Sequence, residues 1–447
     1  MQNGPTDLQE KVAEFITSLQ YEQLPESIVN DAKYRVLDWL GCALAGIDTK
    51  PSHIMTQLVK DNGGAEQATL LRAGVKVPIG QAVLANGLTG HVVEFDDGHR
   101  LAISHPGAIA VPTALAVAEY LGRTGKELLM AVVIGYELLI RLGMAINPSH
   151  YKMWHSTSTC GVFAAAATAS SLFQLDKDKT QMALGIAGTM AAGLQETFGT
   201  YAKPLNIGHA CHSGVQAVLL AKNDFTGPTD IIMGKKGFIV ATSEEYDVTP
   251  ITKINDHHFI SDTAFYKMYS SCGHTHSPLD AIFMMMDEHE LSVQEITHIQ
   301  IETYQTAVDL TGELKHNNAD AAKFSLPYCI AVAIICKTVT LAEFTADKLQ
   351  DPLIIALAKK VKVVEKQEAT QAFPKRLADV KVELKNGLVF ATSVTAADDT
   401  PRYDAIEEKF LSLAGTEVGY EKARNIKDIV LNLEKIVDIE ELTKYLN

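Results

Sequence analysis

At 447 residues, 47% of them hydrophobic, the chain can build the cores of about two or three domains of ~150 residues each. Its 39 Lys and Arg stand against 54 Asp and Glu, and the net charge of -15 excludes the basic face that nucleic acid or an anionic membrane needs. A small anionic ligand is compatible, because it needs only a local group of cations or backbone N–H donors. Cys42, Cys160, Cys211, Cys272, Cys329 and Cys336 are scattered without a CxxC, the pattern of free thiols in a reducing compartment. The first residues, Met-Gln-Asn-Gly-Pro-Thr-Asp, lack a basic region followed by an apolar run, so no signal peptide is expected and the protein reads as cytoplasmic.

The first half reads as helical. Asp7 and Glu10 are placed for a capping box, and Leu8, Val12, Phe15, Ile16 and Leu19 follow a helical period. Further helices are expected over 25–45, 108–121, 126–144, 160–173 and 180–194. The run Leu128 to Ile146 is the most apolar, but Gly135, Glu137 and Arg141 interrupt it, which suits a buried helix better than a membrane span. Stretches such as Phe163-Ala-Ala-Ala-Ala-Thr-Ala imply close helix–helix contact.

Beyond about residue 265 the pattern changes. Residues 296–304 alternate apolar and polar as a half-buried strand does, and 379–394 reads as a hairpin with Asn386-Gly387 as a type I′ turn. Helical runs at 277–287 and 324–335 lie between them. The expected fold is mainly α: a large all-helical domain over 1–267, completed by 397–447, and a smaller α+β domain over 268–396.

The densest chemistry lies in Glu94-Phe-Asp96-Asp97-Gly-His99 and the following Ser-His105-Pro-Gly. Three carboxylates and two imidazoles within twelve residues serve an acid/base site or a metal site better than a fold, since each buried polar group left unpaired costs about 1–3 kcal/mol. Other candidates are Trp154-His155, Lys203 in what reads as a Gly- and Pro-punctuated turn over 201–209, Cys272-Gly-His274-Thr-His276, and Tyr328 on an apolar helix. Each also has a plain structural use. His155 suits a half-buried helix start, Lys203 a solvated turn, and Asp96 and Asp97 cap or turn positions. Tyr328 suits a core position with its hydroxyl on a carbonyl. His91-x-x-Glu94 with the nearby histidines offers metal ligands, but nothing has the spacing of HExxH or a zinc ribbon, and no dinucleotide, phosphate-loop or nucleophile-elbow motif is present.

Taken in order, His91-x-x-Glu-Phe-Asp-Asp, His105-Pro-Gly, Trp154-His155, Ala-Lys203-Pro, Cys-Gly-His-Thr-His276-Ser and Phe324-Ser-Leu-Pro-Tyr328 resemble the MmgE/PrpD family over nearly the whole chain. That family includes 2-methylcitrate dehydratase, cis-aconitate decarboxylase and iminodisuccinate epimerase. The resemblance implies a helical domain with an α+β lid, a cleft between them, a homodimer, and no metal or organic cofactor. It places the site on Glu94, His105, His155, Lys203, His276 and Tyr328, with a small anionic carboxylate as substrate. Glu94 stands where the decarboxylase has Asp. Two departures concern the substrate. Gly98 stands where the dehydratase and decarboxylase branches usually carry Thr, and His105-Pro-Gly-Ala where dehydratases tend to read His-Pro-Ser-Asp-Asn.

All three family reactions move a proton at a carbon next to a carboxylate. The expected division of labour makes His105 the acid/base group, with Glu94 or Asp96 holding its tautomer. Lys203, His155 and His276 serve as cationic donors to substrate carboxylate, and Tyr328 as a donor to a substrate oxygen. The expected activity is a cofactor-independent lyase, dehydrating or decarboxylating 2-methylcitrate, citrate or cis-aconitate. The alternatives are an epimerase of a dicarboxylate such as iminodisuccinate and a catalytically silent carboxylate-binding dimer.

Overall fold

The structure is a computed structural model that describes residues 7–256, 259–395 and 401–447. The N-terminal segment read for a signal peptide and the side chain of Asp7, expected to cap the first helix, lie outside the described residues. The chain divides into two compact units. The first holds the described residues of Met1–Thr197, Ala202–Tyr266 and Pro401–Asn447, the second those of Phe198–Tyr201 and Lys267–Thr400.

The first unit is almost wholly helical. Its longer helices before the second unit are α1 (Asp7–Ser18), α2 (Glu26–Gly46), α3 (Lys50–Asn62), α4 (Ile79–His91), α5 (Gly107–Leu121), α6 (Gly125–Ile146), α7 (Ser156–Phe173), α8 (Lys177–Gly188) and α9 (Ala202–Lys222). The two short strands β1 (Ala68–Leu70) and β2 (Val75–Val77) pair antiparallel between α3 and α4. The helices Tyr403–Val418 and Tyr420–Leu431 return to pack on α2. Thr124 and Glu127 form a capping box that starts α6. Its interior charges are matched internally: Glu137 accepts from Arg141 Nε at 3.1 Å and from the backbone N–H groups of Ile260 and Ser261 at 2.7 Å each. This is the one helix among the described residues long and apolar enough to cross a membrane, and it is buried in the core.

Two expectations fail here. Residues 189–194 leave the helix, so α8 stops at Gly188. Residues 202–209 form the start of α9, and only Tyr201 of the expected 201–209 turn lies outside the helix. Pro204 sits in the first turn of α9, where its missing N–H has no helical carbonyl to bond and therefore costs little.

The Ala-rich α7 is crossed by α6 and α9 at backbone distance. A Cβ on Gly214 would come within 2.5 Å of Ala165 Cβ and 2.7 Å of the Ala166 nitrogen. We therefore expect Gly214→Ala to lower stability by about 1–3 kcal/mol, despite the better helix propensity of alanine. A urea-unfolding midpoint at or above that of the wild type would contradict this packing.

The second unit is α+β. Strands β3 (Ile296–Thr303), β4 (Val361–Glu365), β5 (Ala378–Leu384) and β6 (Val389–Val394) make one sheet in the order β4-β3-β5-β6, with β3 parallel to β4 and the other pairs antiparallel. Ile299, Ile301, Val380 and Val382 face a core shared with the helices His276–Glu288 and Leu326–Cys336. The β5–β6 connection is not a type I′ turn. Gly387 N donates to Leu384 O at 2.9 Å, so Lys385 and Asn386 are the central residues, and Gly387 alone takes a left-handed φ of +84°. That is a three-residue loop in which the glycine forms the bulge.

Candidate active site

The end of α4 and the loop after it carry the site. His91 is the last residue of α4, and Glu94 follows with φ +56°, a left-handed conformation that costs a non-glycine residue of order 1 kcal/mol or more. The turn points the Glu94 carboxylate at Lys203, on the first turn of α9, and the two form a buried ion pair. The Lys203 ammonium also donates to His91 Nε2 at 2.7 Å. His91 Nδ1 then carries the proton and donates to Asp96, at 2.8 Å to Oδ2 and 3.0 Å to Oδ1. Asp96, His91, Lys203 and Glu94 thus form one buried chain with a neutral imidazole at its centre.

His105 lies beside that chain, its ring centroid 4.8 Å from that of His91. Its Nδ1 is 2.6 Å from the main-chain carbonyl of Asp97 and 3.7 Å from Asp96 Oδ2. A carbonyl can only accept, so Nδ1 holds its proton in either charge state of the ring, and Nε2 is the nitrogen through which the imidazole can take up or give a proton. This corrects the expectation that a Glu94 or Asp96 carboxylate holds the His105 tautomer. Glu94 is committed to Lys203 and Asp96 to His91. Of the titratable groups here, His105 alone is partly exposed, at 18% of its side chain, whereas His91, Asp96, Glu94 and Lys203 are all buried.

His155 occupies the N-cap position of α7, and its ring centroid is 6.2 Å from that of His91. Its pKa lies well below the usual imidazole value, first because it is buried and then because of the charge on Lys203. It is therefore neutral at neutral pH and not the cationic donor expected from sequence. Folding removes a proton-binding group that the unfolded chain retains, so His155 makes the protein lose stability as pH falls below about 6.5. Between pH 7 and pH 5 we expect the urea midpoint of His155→Gln to drop less than that of the wild type, and an equal or larger drop would refute the assignment.

His276 and Tyr328 belong to the second unit. His276 begins the helix His276–Glu288 and packs edge-on against the Tyr269 ring at 5.1 Å. Tyr328 is fully buried in the core of that unit, and its hydroxyl donates to the carbonyl of Glu343 at 2.8 Å. In this structure its proton is spent on the fold, as the plain reading of an apolar-face tyrosine has it. His274 is likewise structural, with Nδ1 2.6 Å from the Tyr304 hydroxyl. His99 closes its own loop, accepting from the Ala102 N–H at 3.0 Å.

Among the described residues, His91, Asp96 and His105 bring one potential metal ligand each within 4.8 Å of one another. The hydrogen bonds oppose that use. Both nitrogens of His91 are bonded, His105 Nδ1 is held by a carbonyl, and an ammonium sits 2.7 Å from His91 Nε2. A cation would have to break these bonds and then lie beside Lys203.

In the sequence His91 reads only as part of a motif and as a possible metal ligand, yet in the structure it bonds both Lys203 and Asp96. Its signal was the i,i+3 spacing to Glu94. The Asp97 carbonyl has no signal at all, since any residue supplies one.

Two domain profiles match this chain: the MmgE/PrpD N-terminal domain over residues 10–251 and the MmgE/PrpD C-terminal domain over 269–435. The chain belongs to the MmgE/PrpD family. Proteins named cis-aconitate decarboxylase are similar end to end: that of Aspergillus terreus is 25% identical over 100% of this chain and 97% of its own length. The human protein of that name is 25% identical over 98% and 94%, and the mouse protein 25% over 98% and 93%. In this MmgE/PrpD chain Glu94, Asp96, His105 and Lys203 all lie in the helical unit and within the N-terminal domain match, which ends at 251, before the change from helical to α+β structure.

Proposed function

We propose that this protein is a lyase that decarboxylates a small tricarboxylate of the cis-aconitate kind. The observation that carries the proposal is His105: a partly exposed imidazole, its Nδ1 held by the Asp97 carbonyl, packed against His91, to which the buried Lys203 is bonded. The end-to-end similarity to cis-aconitate decarboxylases supports the substrate class.

In this reading the bond between the reacting carbon and its carboxyl group breaks, and CO₂ leaves without the electron pair. The pair spreads into a neighbouring carboxylate, whose developing dianion the Lys203 ammonium stabilises. His105, as imidazolium, delivers the proton from Nε2 to carbon while the Asp97 carbonyl keeps Nδ1–H in place. His155 acts as a neutral hydrogen-bonding group. His276 is assigned to a substrate carboxylate on the resemblance alone, and Tyr328 takes no part.

Gly98 favours a second reading. Its N–H and C=O bond to Phe265 at 2.9 and 2.7 Å, and a Cβ at 98 would lie 2.8 Å from the Phe265 ring. A side-chain hydroxyl there would press on that ring, and its absence counts against both eliminations, dehydration and decarboxylation. It leaves room for proton exchange without loss of a group, the chemistry of an epimerase acting on a dicarboxylate such as iminodisuccinate.

Purified protein incubated with cis-aconitate, citrate, 2-methylcitrate or iminodisuccinate, with CO₂ and vinyl proton signals followed, tests these readings. We expect CO₂ from cis-aconitate, and a loss of about 10²–10⁴-fold in kcat for His105→Ala at unchanged Tm. Proton exchange on a dicarboxylate with no CO₂ from any compound would replace decarboxylation by epimerisation. Near-wild-type turnover by His105→Ala would remove that residue from the mechanism.

A further inference from the structure

We infer that Asp97, fixed by Arg35 and Tyr136, is a positioning residue that clamps both sides of His105. The inference rests on the assignment of His105 as the acid/base group, not on the identity of the substrate.

The geometry is a bracket. The main-chain carbonyl of Asp97 accepts from His105 Nδ1 at 2.6 Å, while its side-chain Oδ1 accepts from the backbone N–H of Gly107 at 3.0 Å. The segment His105-Pro106-Gly107 is therefore held by one residue from the ring side and from the backbone side. A third bond, from His105 N to Thr157 Oγ1 at 3.1 Å, fixes the backbone of His105 itself.

Asp97 is in turn held from two further helices. The Tyr136 hydroxyl of α6 donates to Oδ2 at 2.7 Å, and Arg35 Nη1 of α2 lies 3.5 Å from the same oxygen. The guanidinium is pinned by Asp31 Oδ2 at 2.8 Å and by the Ala264 carbonyl at 2.6 Å, and it stacks over the Tyr266 ring at 3.8 Å. All of these side chains except that of Tyr266 are buried. Burial raises the Asp97 carboxyl to about 7, against the opposing pull of Arg35 and the Tyr136 hydrogen bond, with Asp38 and Asp96 adding to the rise.

The packing leaves no slack. A Cβ on Gly107 would fall 2.6 Å from the Tyr136 hydroxyl and 2.9 Å from Asp97 Oδ1. The space that a Ser or Ala would need at 107 is filled by the clamp. The effect of Arg35 and Tyr136 on the His105 ring passes through Asp97, as outer-shell partners act on a catalytic imidazole elsewhere.

Long-range ¹H–¹⁵N NMR of the histidine rings in the full-length protein tests this, with His105→Gln used to assign the His105 signals. The wild type should show His105 as the Nδ1–H tautomer. In Tyr136→Phe we expect signals averaged between the two tautomers, with kcat roughly 10-fold lower and KM within about twofold. Gly107→Ala, which presses on the same clamp, should behave alike and provides a second readout if Tyr136→Phe does not fold. Wild-type tautomer and kcat in the folded variants would overturn the inference, even if Tm falls. If the wild type turns over none of the tricarboxylates, the proposed function fails while the tautomer result still decides this inference.

Discussion

The site depends on closing a circuit of charge inside a helical core. Glu94, Asp96 and Lys203 are all buried, and any one of them left alone would cost several kcal/mol. The chain from Asp96 through His91 and Lys203 to Glu94 gives each carboxylate a donor or a cation, and gives the ammonium a carboxylate and an acceptor nitrogen. The left-handed backbone at Glu94 is the geometric cost of that closure, because it turns the carboxylate towards α9.

The rest of the helical unit serves the same loop. Lys409, from the C-terminal helix Tyr403–Val418, donates to the Phe95 carbonyl at 2.6 Å and to Asp38 at 2.7 Å, and its ammonium lies 4.1 Å from the Phe95 ring centroid. Phe265 bonds the next stretch at Gly98. The loop from 94 to 107 is thus tied down residue by residue, which is what a proton-transfer group needs if the bound geometry is to be held within a fraction of an ångström. The return of the chain terminus to α2 gives Lys409 its place, so the distant C-terminal segment contributes directly to the shape of the site.

Much of this was legible in the sequence, and the failures have physical causes. Long apolar helices such as α6 and α7 announce themselves by composition, and the 379–394 hairpin by alternation. Helix α4 does not, because its Gly80, Gly87, Gly90 and Asn86 lower helix propensity and tertiary packing overrides it. The start of α9 reads as a turn because Pro204 and Gly208 are breakers in isolation, yet Pro204 is harmless in a first turn and Gly208 lets α4 approach. The Asn386-Gly387 pair marks the right hairpin and the wrong turn type, since only the backbone shows which residue takes positive φ. At the site, residue types could suggest His105, Lys203 and Glu94 as chemistry. They could not show which carboxylate pairs with which base, nor that a main-chain carbonyl sets the His105 tautomer.

The central claim is that Glu94 and Lys203 are one buried unit. A double-mutant cycle on folding stability, with Glu94→Gln, Lys203→Met and the two together, tests it most directly. Each single change leaves a buried charge without its partner and should cost about 3–5 kcal/mol, whereas the double change should cost far less than their sum. Additive costs, with no coupling between the two positions, would contradict the account.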